Sequence, residues 1–505
     1  MTPAVVESKM RNLKASSSPG PDAIHPKVLR ELAVPLSGPM STLFNKTLND
    51  GEVPEDWKLG QVVPIFKKGK RSDPANYRPI SLTSVASKTL ESIIRDQLLQ
   101  HMMETGQLVD NQHGFRPKRS CVTQLLSTLE DWTRVMEEGE PVDVAYLDFK
   151  KAFDSVPHLR LLGKLHSLGI RGKLWQWIRS FLTERKQRVV INGATSSWTA
   201  VASGIPQGSV LGPILFLLFV NDMPSCVKSG LKLFADDAKL YTGAGTALGR
   251  DQLQSDLDAL AAWSRKWMLP FNTAKCTILH LGSRNERATY TIHDVALRQS
   301  EVEKDLGVHM DSLLKFRKQA AAATSKGNRI LGLIRHSFAH IDAKTLPLLY
   351  KTLVRPHLEY GNQVWGPFNM ADKRLVERVQ RRATKLVPTI RHLSYEERLR
   401  ALKLPSLQYR RRRGDMITMY NIMHERVNLD KEELFAAPPT ARTRGHPLKV
   451  AKLQAFTRVR CNHFSVRIVN DWNSLPEAVV CSPSLDSFKN NLDKHWLGYA
   501  YVAPA

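Results

Sequence analysis

Two acidic residues interrupt an otherwise apolar stretch. Phe234-Ala235-Asp236-Asp237 stands between the short arms Leu231-Lys232-Leu233 and Ala238-Lys239-Leu240-Tyr241. Successive residues of a strand point to opposite faces. The two aspartates can therefore serve one face only if the chain turns where the arms meet, and the pattern predicts a hairpin with a carboxylate pair at its tip. Upstream, the apolar run 142–147 closes on Asp148. Between the two lies Gly204-Ile205-Pro206-Gln207-Gly208-Ser209-Val210-Leu211-Gly212-Pro213. Taken singly these features are ordinary, since Asp is a common turn former. Taken together, three carboxylates delivered by two strand ends suit a site that holds two divalent metals for phosphoryl transfer.

Charge narrows the partner. Lys and Arg number 73 against 48 Asp and Glu, a net +25 over 505 residues. Like charges repel in a compact state, so the excess favours a polyanion: nucleic acid or an anionic membrane surface. The membrane reading is the weaker. The longest apolar run, 210–220, is broken by Gly212 and Pro213 and is short of the roughly 20 residues a span needs. Residues 1–14 mix charges and lack the apolar core of a secretory signal. Five scattered cysteines (Cys121, Cys226, Cys276, Cys461, Cys481) suit free thiols in a reducing compartment. The sequence thus predicts an intracellular protein, cytoplasmic or nuclear, with no transmembrane segment. Cys461, His463 and Cys481 do not have zinc-knuckle spacing. The length exceeds one compact core, so two or more domains are expected.

Along the chain, residues 16–21 read as a loop. Residues 27–48 have helical spacing interrupted at Pro35 and Pro39. Residues 61–66 read as a strand leading into the basic turn Lys67-Lys68-Gly69-Lys70-Arg71. Residues 84–103 and 122–138 read as helices, the second ending near Gly139. The runs 188–192 and 199–202 suggest a hairpin around Gly193. Residues 213–220 are short and apolar, and periodicity does not decide helix from strand. Residues 248–267 form an amphipathic helix. Beyond Leu306-Gly307 strand signals fade. Residues 320–377 are mainly helical, with breaks at Pro347, Pro356 and Gly366-Pro367, and 436–447 read as a linker. The whole suggests α+β followed by a helical part.

Chain order carries the sharper reading. Tyr146-Leu147-Asp148-Phe149-Lys150-Lys151-Ala152-Phe153-Asp154 precedes the glycine-proline segment, which precedes the Asp236-Asp237 hairpin, and Asn272-Thr273-Ala274-Lys275 follows. This series resembles motifs A, B, C and D of reverse transcriptases, and its wording is similar to non-LTR (LINE-type) retrotransposons. Upstream, Pro19-Gly20-Pro21-Asp22, Trp57-Lys58, Asn76-Tyr77-Arg78-Pro79-Ile80-Ser81-Leu82 and Gln112-His113-Gly114-Phe115-Arg116 also fit. Leu353-Val354-Arg355-Pro356-His357-Leu358-Glu359-Tyr360-Gly361, Glu377-Arg378-Val379-Gln380-Arg381-Arg382-Ala383 and Trp472-Asn473-Ser474-Leu475-Pro476 resemble the Jockey-like branch. The resemblance covers nearly the whole chain.

It implies an α+β right-hand polymerase. An N-terminal extension (1–19) would precede fingers and palm (20–310), a helical thumb (311–390) and a mainly helical basic C-terminal region (391–505). It implies RNA-directed DNA synthesis on an RNA template from a DNA 3′ end, with dNTPs and two Mg²⁺, Mn²⁺ being a possible substitute. Target nicking is expected from an N-terminal domain missing from this sequence, or in trans. An inactive RNA-binding relic and an intron-encoded maturase are the alternatives.

Position by position, Asp148 and Asp236 match the metal-binding carboxylates, with Asp237 their neighbour. Lys275 matches a lysine that can act as general acid toward pyrophosphate. Lys67, Lys68 or Lys70, with Arg78, match basic finger residues on the triphosphate. Phe153 matches an aromatic that closes on the sugar and excludes a 2′-hydroxyl, with a plain core role weighed equally. Gln207 and Gly208 match the turn beside the incoming base, and Leu306 and Gly307 the primer-grip turn. Arg116, Lys118 and Arg119 are expected on template backbone. Arg410, Arg411, Arg412 and Arg413, with the basic stretch 373–382, are expected to bind RNA, a solvated face or an import signal being the other readings. On a helix, four consecutive arginines point around the whole barrel and cannot all meet one ligand.

Overall fold

Strand Val142–Leu147 is apolar on both faces because both are covered. Val142 and Val144 belong to one buried core, and Ala145 and Leu147 to another, as the two-residue period of a strand requires. In the computed structural model, which describes residues 1–437 and 445–503, this strand is the middle of a five-stranded sheet. Its order is Arg298–Ser300, Thr277–Leu281, Val142–Leu147, Asp237–Gly243, Gly230–Phe234. The central strand is antiparallel to both neighbours. The predicted hairpin is present: Phe234 pairs with Asp237 across a two-residue turn.

One core, on the Ala145 side, runs from the first helix through the helices around the sheet, with Val6, Trp177, Phe216 and Leu257 fully buried in it. Residues 1–19 therefore contribute to this core through Val6 and Met10. The other core joins helix Cys121–Glu137 to residues 311–390 and to the C-terminal part, through Trp132, Trp365, Tyr420 and Trp472.

A smaller sheet stands beside the first. Leu59–Phe66 pairs antiparallel with Tyr77–Leu82 and parallel with Lys186–Ile191. Lys186–Ile191 also makes the predicted hairpin around Asn192 and Gly193, both at positive φ, the conformation a two-residue hairpin turn needs.

Local expectations are met in some places and not in others. Residues 27–48 are not broken at their prolines: helices Pro26–Glu31 and Ala33–Asp50 divide at Leu32. Pro35 falls in the first turn, where a missing N–H costs nothing. The undecided run is a helix, Gly212–Val220, buried almost all round and with Pro213 at its start. Its first turn is fixed by Glu91, whose Oε2 accepts the N–H groups of Val210 at 2.7 Å and Leu211 at 3.1 Å. Of the expected breaks, the one at Gly366-Pro367 is present, after helix Asn362–Trp365, but Pro347 and Pro356 lie within the helical turns Thr345–Leu349 and Arg355–Glu359. Of the linker 436–447, residues 438–444 lie outside the described residues.

Among the described residues no helix is long and apolar enough to cross a membrane.

Candidate active site

Register brings the aspartates together. Leu147 pairs with Ala238, so one step further Asp148 stands opposite Asp237. Strands in a sheet are about 4.8 Å apart, and directly opposed side chains share a face. Asp236 enters from the turn, which Ala235 makes at φ +56. The sequence-level objection to two adjacent aspartates on one face is met by that turn.

The electrostatics agree with a shared site. Burial pushes the Asp236 carboxyl up, Asp148 pushes it further, and Arg78 and Lys67 pull it back. Asp237 is exposed but stands among other carboxylates. Desolvation first, then Asp236, Asp305 and Asp148, push it up to about 6. Lys67 and Arg78 thus lie close enough to act on Asp236. The antiparallel pairing of Ile65 with Arg78 places them at one end of the finger hairpin. Lys68 and Lys70 are exposed on the same turn.

Asp148 is held by the segment after the amphipathic helix Ala247–Trp267. Asn272 donates its N–H to the Asp148 carbonyl at 2.7 Å, and Phe149 stacks on Phe271 with centroids 4.6 Å apart. Lys275 Nζ then lies 3.0 Å from Asp148 Oδ2. A cleft of about 120 Å³ opens between Asp148, Asp237, Lys275, Lys239 and Asp305. Sequence reasoning passed over Lys239 and Asp305. Both are buried and ion-paired, and they tie the strand carrying Asp237 to the hairpin Val302–Asp305/Val308–Asp311. Its turn is Leu306-Gly307, both at positive φ. Tyr360 donates its hydroxyl to the Leu306 carbonyl at 2.8 Å, fixing the turn from the thumb side.

The glycine-proline segment closes the other wall. Gly208 has φ +125, and a Cβ there would lie 2.3 Å from the Ser81 carbonyl oxygen. Ser81 in turn donates to the Gln207 carbonyl at 2.7 Å, so turn and finger strand meet backbone to backbone. The Gln207 side-chain oxygen is buried with no hydrogen-bond partner among the described residues. Phe153 stacks on Phe216 at 4.8 Å and is only half-buried, so one face is core and the other is open.

Metal fit follows from the donor set. Among the described residues no three His, Cys, Asp or Glu side chains form a preassembled cage. Asp148 raises both Asp236 and Asp237, and Asp236 raises Asp237, so the three hard carboxylates carry like charge that a divalent cation would neutralise. An open carboxylate site completed by substrate oxygens is the form that suits Mg²⁺.

Two groups of expected nucleic-acid residues have partners inside the chain. Arg116 and Arg119 turn inward: Arg116 donates to the Val109 carbonyl at 2.5 Å, and Arg119 pairs with Asp110 at 2.6 Å. They hold their own loop. Lys118 donates to the Glu425 carbonyl at 3.1 Å. The four arginines lie on helix Leu407–Met423 and are engaged inside the protein. Arg410 grips Glu359, Arg412 grips Asp471 and Arg413 grips Asp493, each through two nitrogens. Arg411 is buried facing Glu377 and Asp415. Arg410, Arg412 and Arg413 radiate around the barrel onto carboxylates of this chain, while both terminal nitrogens of Arg411 are buried with no hydrogen-bond partner among the described residues.

Free positive charge sits elsewhere. Helix Arg317–Ser337 exposes Lys318, Lys326, Arg329 and Arg335. Arg335 lines a cleft of about 830 Å³ with Arg382, Lys385 and Arg391.

A palm-like sheet with paired strand-end carboxylates, a finger hairpin and a helical thumb make up a right-hand polymerase fold. The model of the family "Reverse transcriptase (RNA-dependent DNA polymerase)" matches residues 65–333, and the chain belongs to that family. It is similar to "Probable RNA-directed DNA polymerase from transposon X-element" of Drosophila melanogaster, 29% identical over 467 residues, 88% of this chain and 50% of that protein. "Probable RNA-directed DNA polymerase from transposon BS" of Drosophila melanogaster is 30% identical over 76% of this chain and 44% of its own length. "RNA-directed DNA polymerase from mobile element jockey" of the same species is 30% identical over 72% of this chain and 41% of its own length. The chain spans about half the length of the curated relatives it matches.

Proposed function

We propose that this chain copies RNA into DNA, extending a DNA 3′ end with dNTPs as part of a non-LTR retrotransposon. The observation that carries this reading is Asp148 standing in register opposite Asp237 with Asp236 in the adjoining turn, faced by Lys67 and Arg78. Two Mg²⁺ ions held on Asp148, Asp236 and Asp237, with Mn²⁺ as a substitute, would supply Lewis-acid activation of the 3′-hydroxyl and charge neutralisation on the phosphates. The remaining roles belong to the chain. Lys67 and Arg78, with Lys68 and Lys70 on the same turn, receive the triphosphate, the arginine offering two parallel N–H groups. Gln207 and Gly208 form the wall behind the base, and Phe153 presents its open face toward the sugar. Lys275 stands at the Asp148 carboxylate as the proton donor nearest the reacting phosphates. Leu306 and Gly307, pinned by Tyr360, bear on the primer. RNA and duplex backbone run along the exposed cations of the thumb helix and the cleft of Arg335, Lys385 and Arg391.

Primer extension on an RNA template tests the reading. Asp148→Asn and Asp236→Asn are expected to lower extension by roughly a thousandfold or more, since each removes a group whose role lies in the transition state. RNA binding by filter retention should change less than about twofold, because phosphate contacts elsewhere carry it. A folded wild-type protein that binds RNA without extending a primer would make it the inactive relic.

A further inference from the structure

A loop far upstream reaches the catalytic turn. Residues 111–114 run along the outer edge of the hairpin as a partial extra strand. Leu233 donates its N–H to the Asn111 carbonyl at 2.8 Å, and His113 donates to the Leu233 carbonyl at 2.9 Å. The Asn111 side chain donates to the Leu231 carbonyl at 2.8 Å. This register carries the Gln112 side chain, only 2% exposed, to the turn itself. Gln112 Oε1 accepts the N–H of Ala235 at 2.9 Å and that of Gly114 at 2.7 Å. Two N–H donors converging on one terminal atom identify it as the oxygen. Nε2 then faces the Ala235 carbonyl at 3.5 Å. Gly114 allows the approach, for a Cβ there would lie 2.4 Å from the Ala235 nitrogen.

Ala235 is the residue whose conformation decides the site. Its φ of +56 is one that a residue with a Cβ adopts at a cost of about 1–3 kcal/mol unless its surroundings enforce it. It directly precedes Asp236, and relaxation of that dihedral would swing both carboxylates relative to Asp148. An ordinary buried glutamine would satisfy a loop anywhere. This one places its amide against the two peptide units that flank Ala235, the left-handed residue next to the two aspartates.

We propose that Gln112 is a positioning residue for catalysis: it holds Ala235 in the left-handed conformation and so sets where Asp236 and Asp237 present their carboxylates to divalent cations. The inference rests on the polymerase reading above. Gln112 touches neither metal nor substrate; it acts through the Ala235 backbone.

The experiment compares Gln112→Met, which keeps length and removes the acceptor, with Asn111→Ala, which removes a contact at the far end of the same edge. Mn²⁺ binding is followed by electron paramagnetic resonance in a stalled complex with RNA template, dideoxy-terminated primer and matching dNTP. Extension rate, KM for dNTP, primer–template Kd and Tm are measured beside it. Gln112→Met should weaken Mn²⁺ binding about tenfold and slow extension 10- to 100-fold, the range found when a group orienting a metal ligand is lost. KM and Kd should stay within about twofold, and Asn111→Ala should lower Tm without moving Mn²⁺ binding. Ala235→Gly supplies the second arm. Glycine visits positive φ at little cost, so Gln112→Met in that background should regain about tenfold in both readouts, or regain folding if the single variant lacks it. Normal Mn²⁺ binding in Gln112→Met, an equal metal defect in Asn111→Ala, or no recovery with Ala235→Gly would overturn the proposal. Asp236→Asn is run alongside. If it binds Mn²⁺ like wild type, the site reading itself fails; if it loses Mn²⁺ while Gln112→Met does not, only the role of Gln112 falls.

Discussion

Desolvation of the Asp237 carboxyl, with Asp236, Asp305 and Asp148 about it, pushes the group up to about 6. The sign of the consequence follows. Between the ordinary carboxylate range and pH 6, the metal-free fold keeps a proton that the unfolded chain has released, so this group lowers stability as pH rises through that window. A cation must displace the same proton. Mn²⁺ affinity is therefore expected to be nearly flat above pH 7 and to fall about tenfold per unit below pH 6, with Asp237→Asn removing the dependence; calorimetric titration from pH 5 to 7.5 checks it. Phe153 carries a different expectation. Its ring is stacked on Phe216 on one face and open on the other, so Phe153→Ala should raise the rNTP/dNTP rate ratio at least about tenfold, as loss of a steric clash does. An unchanged ratio in a folded variant would return the ring to the core. The three aspartates could be read from sequence because their apolar arms are local. Glu91 and Gln112 could not, since a buried polar side chain has no local signature. Their contacts lie 119 and 123 residues further along the chain.

Elements were legible where periodicity or turn chemistry is one-sided. The hairpin around Gly193 and the helix after Gly245 follow from residues that have few other uses, and the structure places both. Residues 212–220 are apolar all round because they are buried all round, which erases the period. What decides helix there is Pro213 in the first turn and the distant carboxylate of Glu91. Gly208 shows the same dependence on a remote partner. Its φ of +125 and its 2.3 Å Cβ approach to the Ser81 carbonyl make it the joint between the finger strand Tyr77–Leu82 and the palm. Gly208→Ala is expected to cost about 2 kcal/mol or more in stability, from strain that the backbone on the other side cannot relieve. It should also raise the KM for dNTP more than it lowers primer–template affinity. Equal stability by denaturant titration would mean that the two elements slide freely, and the fitted wall behind the base would be lost with them.

At the scale of the molecule, two cores meet at one sheet, and the C-terminal part is bound to the palm by buried charge. Glu130 accepts from Arg460 and Ser465, each at 2.6 Å, and these contacts with His463 hold its carboxyl well below the usual range against the cost of burial. The arginine run belongs to the same kind of bonding. Its carboxylate partners Glu359, Asp471 and Asp493 lie 51, 59 and 80 residues away, so no local pattern separates a clamp from an RNA-binding patch, and net charge counts both alike. The two are separable by salt. Each phosphate contact releases counterions, and log K on a single strand falls with log salt by about 0.7 per contact. Arg335, Lys385 and Arg391 share the thumb cleft with Arg382, and among the described residues lining it the one acidic side chain, Asp342, accepts the N–H groups of Lys344 and Thr345 through Oδ1. Changing those three to Gln should reduce the slope by about 2, the sum of three contacts, and leave Tm near wild type, because exposed cations contribute little to folding. Changing Arg410 and Arg413 to Gln should do the reverse: Tm falls as Glu359 and Asp493 lose their bidentate partners, and the slope of the folded fraction stays put. If the slope instead falls with Arg410 and Arg413 and survives the loss of the cleft cations, the duplex or template crosses the C-terminal helix after all, and its ion pairs must open to receive it.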